Sequence, residues 1–157
     1  GKVVDVFVTE PVDRGDLMAP EETLLRIEHL RANLKAVFAG KLDLDAEIKR
    51  HAQRWRRVTK ATIPYTTQVK FENDTSDEYT IIDVFASDRP GLLYTITRTL
   101  SSLGLSIARA KISTEATKAI DSFYVRDAEG KKMFAAERLS EVRESLEDAI
   151  GSWVAGK

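Results

Sequence analysis

The sequence contains no cysteine and two histidines, His29 and His51. The absence of cysteine excludes disulfide bonds, thiol nucleophiles and thiolate metal sites, and it is typical of proteins from a reducing compartment. Neither histidine belongs to an HExxH or comparable metal-ligating pattern. We therefore expect no metal site and no resident cofactor in this chain, and little chemistry based on imidazole.

Neither sign of charge is in excess. The sequence has 24 Lys and Arg residues and 25 Asp and Glu residues, which gives a formal net charge of -1. This balance excludes overall charge as the force that drives binding to nucleic acid or a membrane surface, so any basic partner site must be local. No apolar run approaches the ~18–20 residues of a spanning helix, and residues 1–10 resemble a strand rather than a signal peptide. The sequence thus predicts a cytoplasmic protein without a membrane or nucleic-acid partner.

Apolar residues are plentiful enough for a packed core, at 43% of 157 residues. The first part of the chain predicts a short strand at residues 2–9 and, after a loop, a helix from Glu21 to Gly40. Residues 43–57 predict a shorter and more polar helix that ends before Pro64. The first helix is indicated by apolar residues at helical spacing: Leu24, Ile27, Leu30, Leu34, Val37 and Phe38.

The second part of the chain begins with strand patterns. Val69 and Phe71 alternate with polar residues and precede turn formers, which predicts a hairpin whose second strand covers residues 79–86. That second strand is almost continuously apolar, as expected at the centre of a sheet covered on both sides. The next helix is expected to be capped by Asp88 or Arg89, to hold Pro90 in its first turn, and to bury Leu93, Ile96, Leu100 and Leu103 before Gly104 ends it.

Two further strands, at residues 105–113 and 119–126, and a last helix complete the pattern. The helix is indicated by a final apolar stripe: Leu139, Val142, Leu146, Ala149 and Ile150. Residues 66–150 therefore predict a small α+β sandwich in the order strand, strand, helix, strand, strand, helix.

Two strand segments resemble each other, VVDVFV at residues 3–8 and AIDSFYV at residues 119–125, and Asp5 corresponds to Asp121. A similar helical stripe follows each segment. The alternative is that any two strand–helix units look alike at this level. If the repeat holds, residues 1–40 are the second half of a domain that must dock on other elements, so we expect a homo-oligomer, and exchange of elements between subunits is one way to form it.

The segment DVFASDRPGLLYTITRTLSSLGLSIARAKIST, followed by AIDSFYVRDAEGKKM, resembles an ACT domain, a small-molecule-sensing module of ferredoxin-like βαββαβ topology. With the linker AGKLDLDAEI, a basic stretch and NDTSDEYT before DRPGLLY, the chain resembles more narrowly the C-terminal tandem ACT region of bifunctional uridylyltransferase/uridylyl-removing enzymes, which modify the PII nitrogen-signalling protein. The resemblance covers nearly the whole chain. DRPGLLY is shared by many ACT proteins, and its combination with the linker is the more specific feature.

The resemblance implies a domain organisation. Residues 1–40 would be the C-terminal half of a first ACT unit, residues 41–64 a basic linker helix, and residues 65–157 a complete second ACT domain. In that second unit the strand at residues 66–73 would take the edge that the fourth strand occupies in a typical ACT unit. The expected result is a four-stranded antiparallel sheet with a permuted first strand and two helices on one face.

In ligand-binding ACT domains an amino acid sits between two subunits, held by the loop from the first strand to the first helix and by the start of the second strand. The glycine of that loop allows a close backbone approach, and free amides at a helix start favour a carboxylate. Asp88 suits an α-ammonium group and Ser106 a side-chain amide. The alternative is that the loop merely starts a helix. The ligand-binding residues implied are Ser87, Asp88, Arg89, Pro90, Gly91, Leu92, Leu105, Ser106 and Ile107.

The resemblance further implies that glutamine, or another small amino acid, binds this region and shifts the parent enzyme from uridylylating PII towards removing uridylyl groups. The nucleotidyltransferase and HD-hydrolase motifs expected of the whole enzyme are absent from these residues. We therefore expect no catalytic residue here and assign the transferase and phosphodiesterase chemistry, with its divalent metal, to the rest of the parent. The alternative is a scaffold that joins domains or subunits and binds no metabolite.

Six basic residues surround Trp55 without an intervening acidic residue: Lys49, Arg50, Arg54, Arg56, Arg57 and Lys60. Such a run contacts nucleic acid in some proteins, but it is more often a solvated helix face or a partner for acidic residues of the same protein. The neighbouring acidic residues that would pair with it are Glu72, Asp74, Asp77 and Glu78.

Three acidic residues, Asp5, Asp83 and Asp121, lie within apolar strand patterns. A catalytic carboxylate pair needs a cleft and a tuned pKa, and neither is indicated by the sequence. We expect instead that these residues lie at sheet edges or strand ends.

Overall fold

The computed structural model describes residues 20–56, 65–115 and 117–155. The predicted strand at residues 2–9, and with it the half-repeat, lies outside the described residues. The chain divides into two units, Gly1–Asp45 and Ala46–Lys157. The helices and strands follow the predicted order: α1 Pro20–Phe38, α2 Leu44–Arg56, β1 Gln68–Glu72, β2 Thr80–Ser87, α3 Leu92–Ser102, β3 Ser106–Glu115, β4 Lys118–Arg126 and α4 Ala136–Ala155.

Helix α1 confirms the first predicted helix, and Gly40 lies just beyond its end. Gly40 has a φ of 65°, and the amides of Gly40 and Lys41 donate to the carbonyls of Val37 and Ala36 at 2.9 and 2.8 Å. These are the paired hydrogen bonds of a glycine C-cap. The apolar stripe of α1 is solvent-exposed among the described residues, at Leu24, Leu25, Ile27, Leu30, Leu34 and Phe38.

Strands β1 to β4 form one antiparallel sheet in the order β1-β2-β4-β3. The hairpin places β1 at the edge beside β2, where a βαββαβ unit has its last strand. This arrangement confirms the predicted permutation of the sheet. The outer strands are therefore β1 and β3, and the two central strands are β2 and β4.

The core lies between the sheet and helices α3 and α4, which pack on one face. Because side chains alternate along a strand, every second residue of β2 and β4 points into this core. Each large apolar side chain that is fully buried contributes roughly 1.5–3 kcal/mol. The apolar residues with 0 or 1% exposure are Ile82, Val84, Ala86, Ile96, Leu100, Phe123, Val125, Val142, Leu146 and Ile150.

The other face of the sheet, called here the open face, carries no described helix. The expectation that β2 is covered on both sides is therefore wrong for the described residues. Phe85 on β2 is half-buried because the long side chains of Lys70 and Lys118 lie over its ring. The strand pairings and side-chain alternation give the open-face residues: Gln68, Lys70, Glu72, Ile81, Asp83, Phe85, Ser87, Ser106, Arg109, Lys111, Ser113, Glu115, Lys118, Ile120, Ser122, Tyr124 and Arg126.

Asp83 and Asp121 lie in the middle of the central strands β2 and β4, so the expected edge or strand-end positions are wrong. On the open face, Asp83 accepts a 2.6 Å hydrogen bond from the hydroxyl of Ser122. On the core face, Asp121 is paired with Val84 and is 2% exposed. Side-chain alternation explains the difference, because the register puts the two carboxyl groups on opposite faces. Asp5 lies outside the described residues.

Helix α3 begins later than predicted. Its N-cap is Gly91, with a φ of 87°, rather than Asp88 or Arg89, and Pro90 precedes the helix. Ile96 and Leu100 are buried as predicted, but the first core residue of the helix is Leu92, which is 3% exposed, whereas Leu93, which was expected in the core, is 43% exposed. The chain must first turn at a left-handed glycine, and a side chain before that turn is too early to cap the helix.

The hairpin between β1 and β2 is anchored to the segment that precedes α4. The hydroxyl of Thr80, which is fully buried, donates to the side-chain oxygen of Asn73 at 2.8 Å and accepts from the amide of Met133 at 2.9 Å. The Asn73 side-chain amide donates to the Met133 carbonyl at 2.8 Å. The predicted turn former Asn73 thus also satisfies buried polar groups, which are costly when left unpaired.

Candidate functional site

The turn between β2 and α3 carries six of the nine residues expected at a ligand site. The amide of Asp88 donates to the Thr117 carbonyl at 2.8 Å, which fixes the turn against the start of β4. Gly91 then adopts its left-handed conformation, and its carbonyl accepts from the amide and the hydroxyl of Thr95, both at 2.9 Å. No side-chain hydrogen bond is described at the N-terminus of α3. An uncapped helix start of this kind is suited to bind an anionic group.

The side chains of the turn differ in what they offer to a ligand. Ser87 accepts a 2.8 Å hydrogen bond from the amide of Tyr65, and the Arg89 guanidinium donates to the Ile150 carbonyl of α4. Leu92 is part of the core. Asp88 is exposed, and it is the residue of the turn that presents a charged group to solvent in the position expected from the sequence.

The other three expected residues, Leu105, Ser106 and Ile107, lie at the start of β3. Leu105 is 5% exposed in the core, Ile107 packs against the core, and Ser106 is exposed. Ser106 is therefore the member of this group that a ligand can reach directly.

The two groups lie at opposite ends of the sheet. Ser87 pairs with Lys118, and Lys118 pairs with Glu115 at the far end of β3, whereas Ser106 is the first residue of that strand. Ten strand residues extend over about 30 Å. Within one chain the structure therefore does not bring the turn and the start of β3 together.

Asp121 is a buried ionisable residue, whereas the sequence pattern predicts that it lies at a sheet edge or a strand end. Burial raises the pKa of its carboxyl group, a hydrogen bond from the Ser113 amide at 3.4 Å opposes that rise, and the nearby Asp88 carboxylate adds to it. Its burial was visible in the sequence, because Asp121 shares the alternation of Ala119, Phe123 and Val125. It lies on the strand beside the Asp88 turn.

The basic segment at residues 49–60 is described in part, up to residue 56. Arg50 forms an ion pair with Glu47 one helical turn away. Two of the acidic residues expected to pair with this segment have partners near the sheet instead. Glu78 forms a 2.7 Å ion pair with Arg126, and Glu72 accepts from the amides of Asp74 and Thr75.

The part of the chain that the structure describes contains neither a group of metal-binding residues nor a membrane-spanning helix. No group of three or more His, Cys, Asp or Glu residues there could hold a metal ion. None of the helices within residues 20–56, 65–115 and 117–155 is long and apolar enough to cross a membrane.

The sheet order and the placement of two helices on one face define an α+β protein of the ferredoxin-like class. The model of the ACR9-like, ACT-like domain matches residues 68–154, which include all four strands and almost all of α4. The chain therefore belongs to the ACT-like domain family.

Curated relatives with the same description match most of the chain. A bifunctional uridylyltransferase/uridylyl-removing enzyme of Rhodospirillum rubrum is 34% identical over the whole chain and 16% of its own length. The enzyme of that name from Azospirillum brasilense is 36% identical over 96% of the chain and 16% of its length. That from Cereibacter sphaeroides is 43% identical over 58% of the chain and 10% of its length.

The chain spans about 16% of the length of the first two of these relatives. The resemblance to this group of enzymes, noted from the sequence, is confirmed, and an ACT-like domain in this setting supports a regulatory role. No solved structure matches the chain.

Proposed function

We propose that this chain is the amino-acid-sensing region of a bifunctional uridylyltransferase/uridylyl-removing enzyme and that its ligand is glutamine or another small amino acid. The observation that carries the proposal is the exposed Asp88 turn at the uncapped start of α3, within an ACT-like domain whose relatives bear that enzyme name. Catalysis belongs to other parts of the parent enzyme in this proposal.

The chemistry of the turn suits the common part of an amino acid. The backbone amides at the start of α3 bind the α-carboxylate, because they carry the positive end of the helix dipole. Asp88 binds the α-ammonium group through a charge-assisted hydrogen bond. Ser106 of a second subunit binds the side-chain amide, which is the group that distinguishes glutamine from glutamate.

This site requires a second copy of the chain, because the Asp88 turn and Ser106 lie at opposite ends of the sheet. β3 is an edge strand with nine of its ten residues exposed, and an edge strand is available to pair with another chain. If two β3 strands pair antiparallel about a two-fold axis, the start of one lies beside the end of the other. Ser106 of one subunit then approaches the Asp88 turn of its partner, and the sheet becomes continuous across the dimer.

In the parent enzyme, glutamine would favour the state that removes uridylyl groups from PII over the state that adds them. A ligand shifts such an equilibrium only through its difference in affinity for the two states. Ordinary allosteric coupling is about 1–3 kcal/mol, which changes the ratio of the two activities roughly 5- to 150-fold.

Calorimetric titration of the chain with glutamine tests the proposal. We expect saturable binding that is lost in Asp88→Ala and retained in Asp77→Ala, a control that removes an exposed carboxylate from the β1–β2 loop. Glutamate should bind at least about tenfold more weakly, because its side-chain carboxylate costs more to desolvate than an amide and has no N–H to donate to the Ser106 oxygen. The proposal is wrong if millimolar glutamine produces no heat, or if both variants bind as the original chain does.

The second candidate is a scaffold that binds no metabolite. It is favoured by the contacts already made within the expected site, where Ser87 is bonded to Tyr65, Arg89 is bonded to α4, and Leu92 and Leu105 belong to the core. Absence of glutamine binding together with a tight dimer would support this candidate.

A further inference from the structure

The open face gathers basic and aromatic residues from distant parts of the chain. The cations lie 4.3 to 5.6 Å from ring centroids, within the range of cation–π attraction. The contacts are those of Lys70 with Phe85, Lys118 with Tyr65 and Phe85, Arg109 and Lys111 with Tyr124, and Arg126 with Tyr79.

Two of these rings, Phe85 and Tyr124, lie on the central strands β2 and β4. Phe85 on β2 pairs with Ile120 on β4, and Tyr124 lies four residues further along β4, which separates the two rings by about 13 Å along the strand. Between them a polar row crosses the whole sheet, with a lysine at each end: Lys70, Asp83, Ser122 and Lys111.

One carboxylate, Asp83, lies at the centre of the open face opposite Lys70, and the others are paired or lie towards its margins. Glu78 pairs with Arg126, Asp83 is bonded to Ser122, and Glu72 accepts from loop amides. Glu115 lies at the end of β3 opposite Lys118. Four cations remain whose described contacts are with rings: Lys70, Arg109, Lys111 and Lys118.

We propose that the open face binds single-stranded nucleic acid, with the cations that lie over Phe85 and Tyr124 moving onto the phosphates and the bases stacking on the rings that they uncover. A four-stranded sheet with rings on its central strands is a known platform for stacking unpaired bases, and nearby cations track the phosphates. A peptide would instead need a groove or a strand edge, which the middle of a sheet does not offer. The cations are local to one face, so this inference departs from the expectation based on net charge.

Fluorescence anisotropy of the full chain with labelled oligouridylate and oligothymidylate of about 12 nucleotides tests the proposal. We expect a dissociation constant in the range of about 10⁻⁴ to 10⁻⁶ M at physiological salt, typical of binding without sequence preference, and tighter binding at low salt. The logarithm of the affinity should fall linearly with the logarithm of the salt concentration, with a slope of about 0.7 per phosphate contact.

Substitutions distinguish the contribution of the rings to binding from that of the cations. Phe85→Leu and Tyr124→Leu keep apolar bulk but remove the stacking surface, and each should weaken binding about tenfold. Tyr124→Trp keeps a ring and should retain the affinity. Arg109→Gln with Lys111→Gln should reduce the salt slope by about 1.4, whereas Arg98→Gln with Arg143→Gln removes the same charge from α3 and α4 on the opposite face of the sheet and should leave the slope unchanged.

Three outcomes would overturn the proposal. The first is no binding of either oligonucleotide at low salt. The second is binding that survives the open-face substitutions but falls with Arg54→Gln and Arg56→Gln, which would assign the nucleic acid to the basic segment. The third is equal competition by polyglutamate with no effect of the ring substitutions, which would show a surface for acidic polypeptides. Circular dichroism of each variant controls for folding.

Discussion

At the scale of single residues, Asp121 places a carboxyl group inside the apolar core of the sheet unit. Its ionised form pays a desolvation cost that one 3.4 Å hydrogen bond from Ser113 offsets in part. Asp88, by contrast, is exposed at the turn beside the same strand. The two residues therefore have different consequences, since Asp121 affects stability and Asp88 is available to a ligand.

Asp121 should make stability depend on pH. Its pKa is higher in the folded than in the unfolded chain, where an aspartate titrates at about 3.9. The folded state thus holds the proton more tightly, and stability is lost as pH rises from about 3.9 through the folded pKa. We expect the stability of Asp121→Asn relative to the original chain to increase over this window and then level off, as measured by urea unfolding at a series of pH values.

The surface variant Asp77→Asn serves as the control for that series, because its carboxyl group lies in an exposed loop. A stability difference between Asp121→Asn and the original chain that stays constant from pH 3 to pH 8 would contradict the prediction.

At the scale of elements, the start of α3 depends on Gly91. For a residue with a side chain, the left-handed conformation that Gly91 adopts at a φ of 87° costs about 1–2 kcal/mol of free energy. The same residue is the N-cap, and the helix begins directly after it with Leu92, which is buried in the core.

Gly91→Ala should therefore destabilise the chain by about 1–2 kcal/mol in urea unfolding. Gly151→Ala is the matched control, because Gly151 lies within α4 and a β-carbon there would meet nothing within 4 Å. That change should stabilise the chain by about 0.5–1 kcal/mol. Equal effects of the two substitutions would show that the backbone conformation at Gly91 is not what matters.

At the scale of the whole molecule, two surfaces of the described residues have features that are usually covered by association with another chain. The edge of β3 is unpaired among the described residues, with Ile112 49% exposed beside it. The apolar stripe of α1 is exposed as well, and Phe38 reaches 86% exposure. Contiguous exposed apolar residues and open strand edges are both features that association covers.

We expect light scattering at micromolar concentration to give the mass of a homo-oligomer. Ile112→Lys should raise the dissociation constant about tenfold or more, since a charge would have to be buried at the paired edges. Gln68→Lys, a change at an exposed residue of β1 on the opposite edge of the sheet, is the control. A monomeric mass for the original chain would refute the prediction and, with it, the two-subunit ligand site.

The sequence by itself determined the elements and their order, because the periods of apolar residues and the positions of Gly40 and Gly104 depend on neighbours a few residues away. It also indicated the permuted sheet, through resemblance to a known family. Tertiary structure decided what strand pairing brings together or separates. The register placed the Asp88 turn and Ser106 at opposite ends of the sheet, and it collected basic and aromatic residues from position 65 to position 126 on one face. These outcomes depend on contacts between residues far apart in the chain, and no local pattern encodes them.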